Sequence, residues 1–176
     1  MADVPDTLVL RRHRDLEGIR PYGIWVRRSV LTLIAAISVI GLLNLFGQRP
    51  GVTTVSASAA TLSLNAPSAL RSGLLWSAVF RVRAQQDLKK ATLVLDQGWA
   101  NGIGINTIEP SPLGQSSQNG RIAFDLGHIP KGGTFVLFMQ FQVNATTVTW
   151  RRRQNVELDD GNKKLLVLHH DITIFP

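Results

Sequence analysis

The sequence predicts an all-β protein, an antiparallel sandwich of about seven strands, preceded by a single transmembrane α-helix. Three observations carry this expectation. Ser29 to Gly47 reads SVLTLIAAISVIGLLNLFG, an apolar run without a charge. Beyond residue 60 the hydrophobic residues change to a period of two. Between these alternating stretches stand short clusters of Gly, Pro, Asn and Ser, the residues that turns demand.

As a helix, residues 29–47 cover about 28 Å, close to the ~30 Å hydrocarbon thickness of a bilayer. Arg11, Arg12, Arg14, Arg20, Arg27 and Arg28 precede the run, whereas from residue 48 to 71 only Arg49 and Arg71 follow it. Basic residues accumulate on the cytoplasmic side of a span, so residues 1–28 read as a cytoplasmic basic tail and the rest of the chain as exported from the plasma membrane. Tyr22 and Trp25 suit the headgroup level. Leu8-Val9-Leu10, Leu16 and Ile19 leave two readings of the tail open, an amphipathic helix on the inner leaflet or a disordered segment. A cleaved secretory signal competes with the anchor, because Ala57-Ser58-Ala59 resembles a cleavage site. The apolar run is longer than a typical ~7–15-residue signal core and the site lies well past its end, which favours a signal anchor. Ser38, Gly41 and Asn44, spaced by three, lie along one side of the helix and form a candidate helix–helix contact.

Residues 48–60, rich in Gly, Pro, Ser, Thr and Ala, read as a short linker that keeps the exported domain, residues 61–176, near the lipid surface. Thr61–Leu64 supplies a first strand. In Leu74–Ala84 the even positions are all apolar while Ser77, Arg81 and Arg83 alternate with them, the pattern of a strand buried on one face. Ala91, Leu93 and Leu95 repeat it, as do Ile122, Phe124 and Leu126. Phe135, Leu137, Met139, Phe141 and Val143 share one face of a strand whose other face carries Val136 and Phe138, which points to a central position. Ile103–Ile108 reads as a short strand within an irregular stretch, 97–120. Val148–Leu158 and Lys164–Phe175 form a final hairpin turned at Asp159-Asp160-Gly161-Asn162.

Phe124-Asp125-Leu126-Gly127-His128-Ile129-Pro130-Lys131-Gly132-Gly133, followed by the apolar strand 134–143, resembles the late strands of bacterial immunoglobulin-like surface domains of the CARDB and DUF11 type. Asn65-Ala66-Pro67 with Arg71-Ser72-Gly73 is similar to their opening. The resemblance, over residues 61–145, implies an immunoglobulin-like β-sandwich and brings no functional residues. Those domains usually stand in tandem, whereas this chain has one copy. The layout also resembles small single-pass membrane proteins of Actinobacteria, which implies no activity.

Composition excludes several chemistries. There is no Cys, hence no disulfide, thiolate metal site or Cys nucleophile. Of the net charge of +7, residues 49–176 hold thirteen basic against eight acidic residues, which suits anionic headgroups or acidic envelope polymers. Nucleic acid is not an expected partner outside a membrane. His169 and His170 point to opposite faces of a strand and cannot chelate one ion together; His169 with Asp171 makes two ligands only, and a solvated strand end is the plainer reading. Gly102-x-Gly104 lacks the third Gly and the helix that a phosphate cradle needs. No Gly-x-Ser-x-Gly elbow occurs.

Trp150-Arg151-Arg152-Arg153 puts positive charge on both faces of a strand, so one face must be at an edge or open to solvent. Charge of this kind protects an edge against aggregation; its functional counterpart is a contact with anionic lipid or an acidic partner, with Arg81 and Arg83 on a neighbouring strand. The expected function is that of a non-catalytic, membrane-anchored envelope protein presenting a β-sandwich for protein interaction or assembly. Its partners would be the lipid bilayer and a protein, with no cofactor, metal or small-molecule substrate. The alternatives are an accessory subunit of a larger membrane complex, an exported enzyme or small-ligand binder built on loops 97–120, and signalling through the basic tail.

Overall fold

The computed structural model describes residues 21–43 and 50–176, and the chain divides into two compact units, Met1–Leu45 and Phe46–Pro176. Among its described residues the first holds one helix, α1 (Pro21–Leu42). Pro21 suits the first turn, where a missing N–H costs nothing. From Tyr22 to Leu42 the helix is long and apolar enough to cross a membrane, with a mean hydropathy of 1.6, and its described side chains are exposed all round. It starts earlier than the expected span and takes in Arg27 and Arg28, the latter lying over the Trp25 ring at 5.9 Å. The basic tail up to residue 20 and Asn44, with the expected end of the span, lie outside the described residues.

The second unit is built from thirteen strands among its described residues. β1 (Pro50–Ser56), β2 (Ala60–Pro67), β4 (Leu75–Ala84), β9 (Thr134–Val143) and β6 (Ile103–Glu109) form one antiparallel sheet in the order β1-β2-β4-β9-β6. A second antiparallel sheet runs β12 (Lys163–Leu168), β11 (Val156–Asp160), β5 (Leu88–Leu95), β8 (Arg121–Ile129) and β7 (Gly114–Gln118). A small third sheet sets β13 (Asp171–Phe175) between β10 (Thr149–Arg153) and β3 (Ala69–Arg71), the latter pair parallel.

The alternation read from the sequence is what joins the sheets. Trp76, Ala78, Phe80, Val82 and Ala84 of β4 and Leu137, Met139, Phe141 and Val143 of β9 are buried in one core with Leu93 and Leu95 of β5, Phe124 and Leu126 of β8, and Val156 and Leu158 of β11. The result is an antiparallel β-sandwich, as expected, with more and shorter strands.

Three differences have physical causes. The expected linker 48–60 contains β1, paired with β2 in unbroken register from Pro50↔Pro67 to Ser56↔Thr61. Its Val52-Thr53-Thr54-Val55 core is β-branched, and this outweighs the Gly, Pro and Ser around it. The irregular stretch 97–120 holds a 3₁₀ turn (Gln97–Trp99) as well as β6 and β7. Within it Trp99 is fully buried, its ring centroid 5.3 Å from Phe80, 5.4 Å from Phe141 and 5.9 Å from Trp76.

The final hairpin is a single ribbon that changes sheets midway. Its distal half pairs β11 with β12 around Gly161, at φ +59°, and its proximal half pairs β10 with β13. The break falls at Gln154-Asn155 opposite His169-His170, where the Gln154 N–H donates to the His170 carbonyl at 2.7 Å. The solvated-end reading of His170 is thereby corrected: the side chain is 8% exposed, stacks 6.4 Å from Trp99 and shares a 3.2 Å hydrogen bond from Nε2 with the Pro67 carbonyl.

Candidate interaction surface

The outer face of the first sheet is set by the residues that alternate with the core. Arg81 and Arg83 both point outward from β4, the middle strand of this sheet. Register places Arg81 between Ser63 of β2 and Val136 of β9, and Arg83 between Thr61 and Thr134. Beyond Ser63 lies Thr54 and beyond Thr61 lies Ser56, joined by hydroxyl–hydroxyl bonds of 3.2 and 3.0 Å. Val136 and Phe138 expose 40% and 37% of their surface beside them, a partly apolar face as the sequence suggested. The face is thus hydroxyl-rich on one flank, apolar on the other, and cationic between.

Among the described residues neither Arg81 nor Arg83 has an acidic partner, and the reason is legible in the chain. No Asp or Glu occurs from residue 18 to 86 or from 126 to 156. β1, β2, β4 and β9 consequently hold no carboxylate, and Glu109 at the end of β6 is the acid of that sheet. In the second sheet the opposite holds. Glu157 receives Arg121 at 2.5 Å and Lys164 at 2.9 Å, and Lys90 lies 3.9 Å from Asp125. Burial works to raise the Glu157 carboxyl, but hydrogen bonds from Lys164 and Arg121 outweigh it and hold the group below its ordinary value. Asp159 goes the other way, raised by burial and by the nearby Glu157 charge, with one carboxylate oxygen buried and unpartnered.

The arginine triplet is on an edge strand of the third sheet, as its charge suggested, but its members differ. A bulge between Thr149 and Arg152 gives Arg151 a φ of +52°, and its Nε donates to Asp171 at 3.0 Å. Arg152 donates to the Asn101 carbonyl. Trp150 is 81% exposed and meets Phe175 edge-on at 6.2 Å. Arg153 lines an open depression with His169 and Asp171. Arg81 and Arg83 are not on a strand neighbouring this triplet: β4 pairs with β2 and β9, and β10 pairs with β13. The basic residues therefore form two separate groups, of which the β4 pair is the one without internal counter-charges.

Along α1, Ser38 and Gly41 are exposed, but the Ser38 hydroxyl donates to the Ile34 carbonyl of its own helix at 2.9 Å. Among the described residues no group of three or more His, Asp or Glu side chains is arranged to hold a metal ion. His128 instead meets Asp87 at 2.8 Å, and His169 Nδ1 meets Asn155 Oδ1 at 2.7 Å.

These features define an antiparallel β-sandwich with one carboxylate-poor basic face, preceded in the chain by a helix long enough to span a bilayer. No family model matches the chain, and no curated protein matches it. Among solved structures, a non-cellulosomal cohesin from the hyperthermophilic archaeon Archaeoglobus fulgidus is similar at 12% identity and a TM-score of 0.39, over 73% of this chain and 92% of that one. A likeness at that level bears on neither activity nor partner.

Proposed function

We propose that this chain is a single-pass plasma-membrane protein, N-terminus inside, whose β-sandwich is a non-catalytic interaction module docking an acidic protein partner on the outer face of its first sheet. The observation that carries the reading is the Arg81/Arg83 pair, aimed outward from the middle strand with no carboxylate on that strand or on either strand beside it. Charges left unpaired on one face attract a complementary partner and orient it, and Val136 and Phe138 add apolar area at the same place. The anchor reading is supported by the arginine count on the N-terminal side of α1 and by the apolar surface that the helix exposes on every side.

A photo-crosslinking residue at Thr134, which faces outward beside Arg83, tests the docking face in the native membrane. An adduct with an acidic protein is expected, lost in R81S/R83S and retained in R151S/R153S at equal expression. An adduct that persists undiminished in R81S/R83S overturns the reading.

A further inference from the structure

At the Ala84 end of β4 the same face dips into a depression of about 450 Å³ lined by Thr61, Arg83, Ala84, Gln85, Lys131 and Gly132. Two of the six are cations and none is acidic. Residues 54–65, 77–86 and 130–136, which make its walls, contain no Asp or Glu. The nearest carboxylate in sequence, Asp87, is engaged by His128.

The walls are held by backbone bonds from three directions. The Gln85 N–H donates to the Ala59 carbonyl at 2.8 Å, the Gly132 N–H to the Ala84 carbonyl at 2.9 Å, and the Ala84 N–H to the Gly133 carbonyl at 2.9 Å. Gln85, with its amide oriented so that nitrogen donates to the Ala57 and Ser58 carbonyls and oxygen accepts from the Thr61 hydroxyl, ties the β1–β2 turn to β4. Gly132 has a φ of +82°, which favours glycine, and a Cβ there would meet nothing within 4 Å, so the turn that carries Lys131 leaves the depression open beside it.

We propose that this depression is a binding site for a phosphate group, held between the Arg83 guanidinium and the Lys131 ammonium. Arg offers a planar fork that matches two phosphate oxygens, and Lys adds a point charge from a second side. The site rests on the reading of the first sheet as a docking face, since it shares Arg83, and it adds the chemistry that face takes at one end. The phosphate has two sources, a lipid headgroup or a soluble phosphate ester, which share this chemistry.

The test uses the full chain in a neutral detergent, titrated with inorganic phosphate and followed by phosphorus NMR line broadening. In parallel, the chain in proteoliposomes is assayed for capture of vesicles of phosphatidylglycerol against vesicles of phosphatidylcholine. Saturable broadening is expected, weakened about tenfold or more in R83S and in K131S and unchanged in R153S. Saturable binding in the phosphate arm identifies a soluble source. Capture of phosphatidylglycerol vesicles alone, lost in K131S, identifies a lipid source. Binding in neither arm at phosphate up to about 10 mM overturns the site, as does binding undiminished in R83S and K131S. K131S spares the β4 pair and R81S spares the depression. Loss of phosphate in K131S with the protein adduct intact, or the reverse in R81S, therefore separates failure of this site from failure of the docking face.

Discussion

The Asp96 carboxylate accepts a 2.8 Å hydrogen bond from the backbone N–H of Asn155, fifty-nine residues further along the chain. Its other oxygen accepts from the Gly98 N–H at 3.0 Å. One side chain thus caps the 3₁₀ turn and pins it to the point where the last hairpin changes sheets. Removing it leaves two buried or half-buried donors without a partner, so D96A is expected to lower unfolding stability by about 1–3 kcal/mol. Chemical denaturation of the full chain in detergent checks this, with D96N retaining part of the loss because its amide keeps one acceptor.

Trp99 hangs from that turn into the centre of the aromatic core and donates from Nε1 to the Asn155 carbonyl at 3.2 Å. W99A should cost about 3–5 kcal/mol through the cavity it leaves. W99F should cost less, since it keeps ring contacts and forfeits the hydrogen bond. Near-ultraviolet circular dichroism and thermal unfolding of both variants distinguish these two parts.

His170 is buried beside Trp99, and burial pushes its imidazole below the ordinary value of 6.5 despite the Pro67 carbonyl and the nearby Asp171, which both favour the charged form. The Trp99 ring stacks beside it and the Pro67 carbonyl shares its hydrogen bond. A His with a lowered folded value takes up its proton more readily when unfolded, so stability is full above pH 6.5 and falls as the pH drops below it toward the folded value. Melting curves across this range should show a loss in the wild type that is flatter in H170Q.

Glu157 and Asp159 predict opposite pH signatures on one strand. The lowered Glu157 group contributes stability above its unfolded value of 4.5 that disappears as the pH falls through the lower folded value. E157Q should therefore be less stable than the wild type at pH 7, and the difference should close in acid. Asp159, raised from 3.8, destabilises the fold above its folded value, and that penalty fades as the pH falls toward 3.8. D159N should be more stable than the wild type at pH 7, with its advantage lost in acid.

The absence of Cys gives a clean test of orientation. Single cysteines at Ser116 and at Ala2 should react with a membrane-impermeant maleimide on intact cells in the first case and only after lysis in the second. The reverse pattern would overturn the N-in reading.

How much was legible follows from which signals are local. The strands β4, β8 and β9 and the outward pair Arg81/Arg83 came from alternation alone, because a period of two fixes the face of every residue once one is known. β1 was hidden by composition: its four β-branched residues sit among the Gly, Pro, Ser and Ala of residues 48–60, and what makes it a strand is β2 beside it. Trp99 sat in a stretch without periodicity, and its burial depends on Asp96 meeting Asn155, a contact that no local pattern encodes. The triplet Arg151–Arg153 read as uniformly charged, whereas Asp171 and the Asn101 carbonyl, both distant in sequence, occupy two of its members. The long carboxylate-free runs were the overlooked signal. Counting where acids are missing locates the basic face more directly than counting where arginines cluster.

Those runs also make the two outer faces of the sandwich differ in how their charges are compensated. On one face Arg81 and Arg83 stand with no carboxylate on their own strand or the strands beside it, while on the other Glu157 pairs with both Arg121 and Lys164. A guanidinium without a neighbouring carboxylate leaves its field open to solvent, whereas a paired one directs most of it at its partner, so the β4 face is where an anionic object meets the less compensated charge.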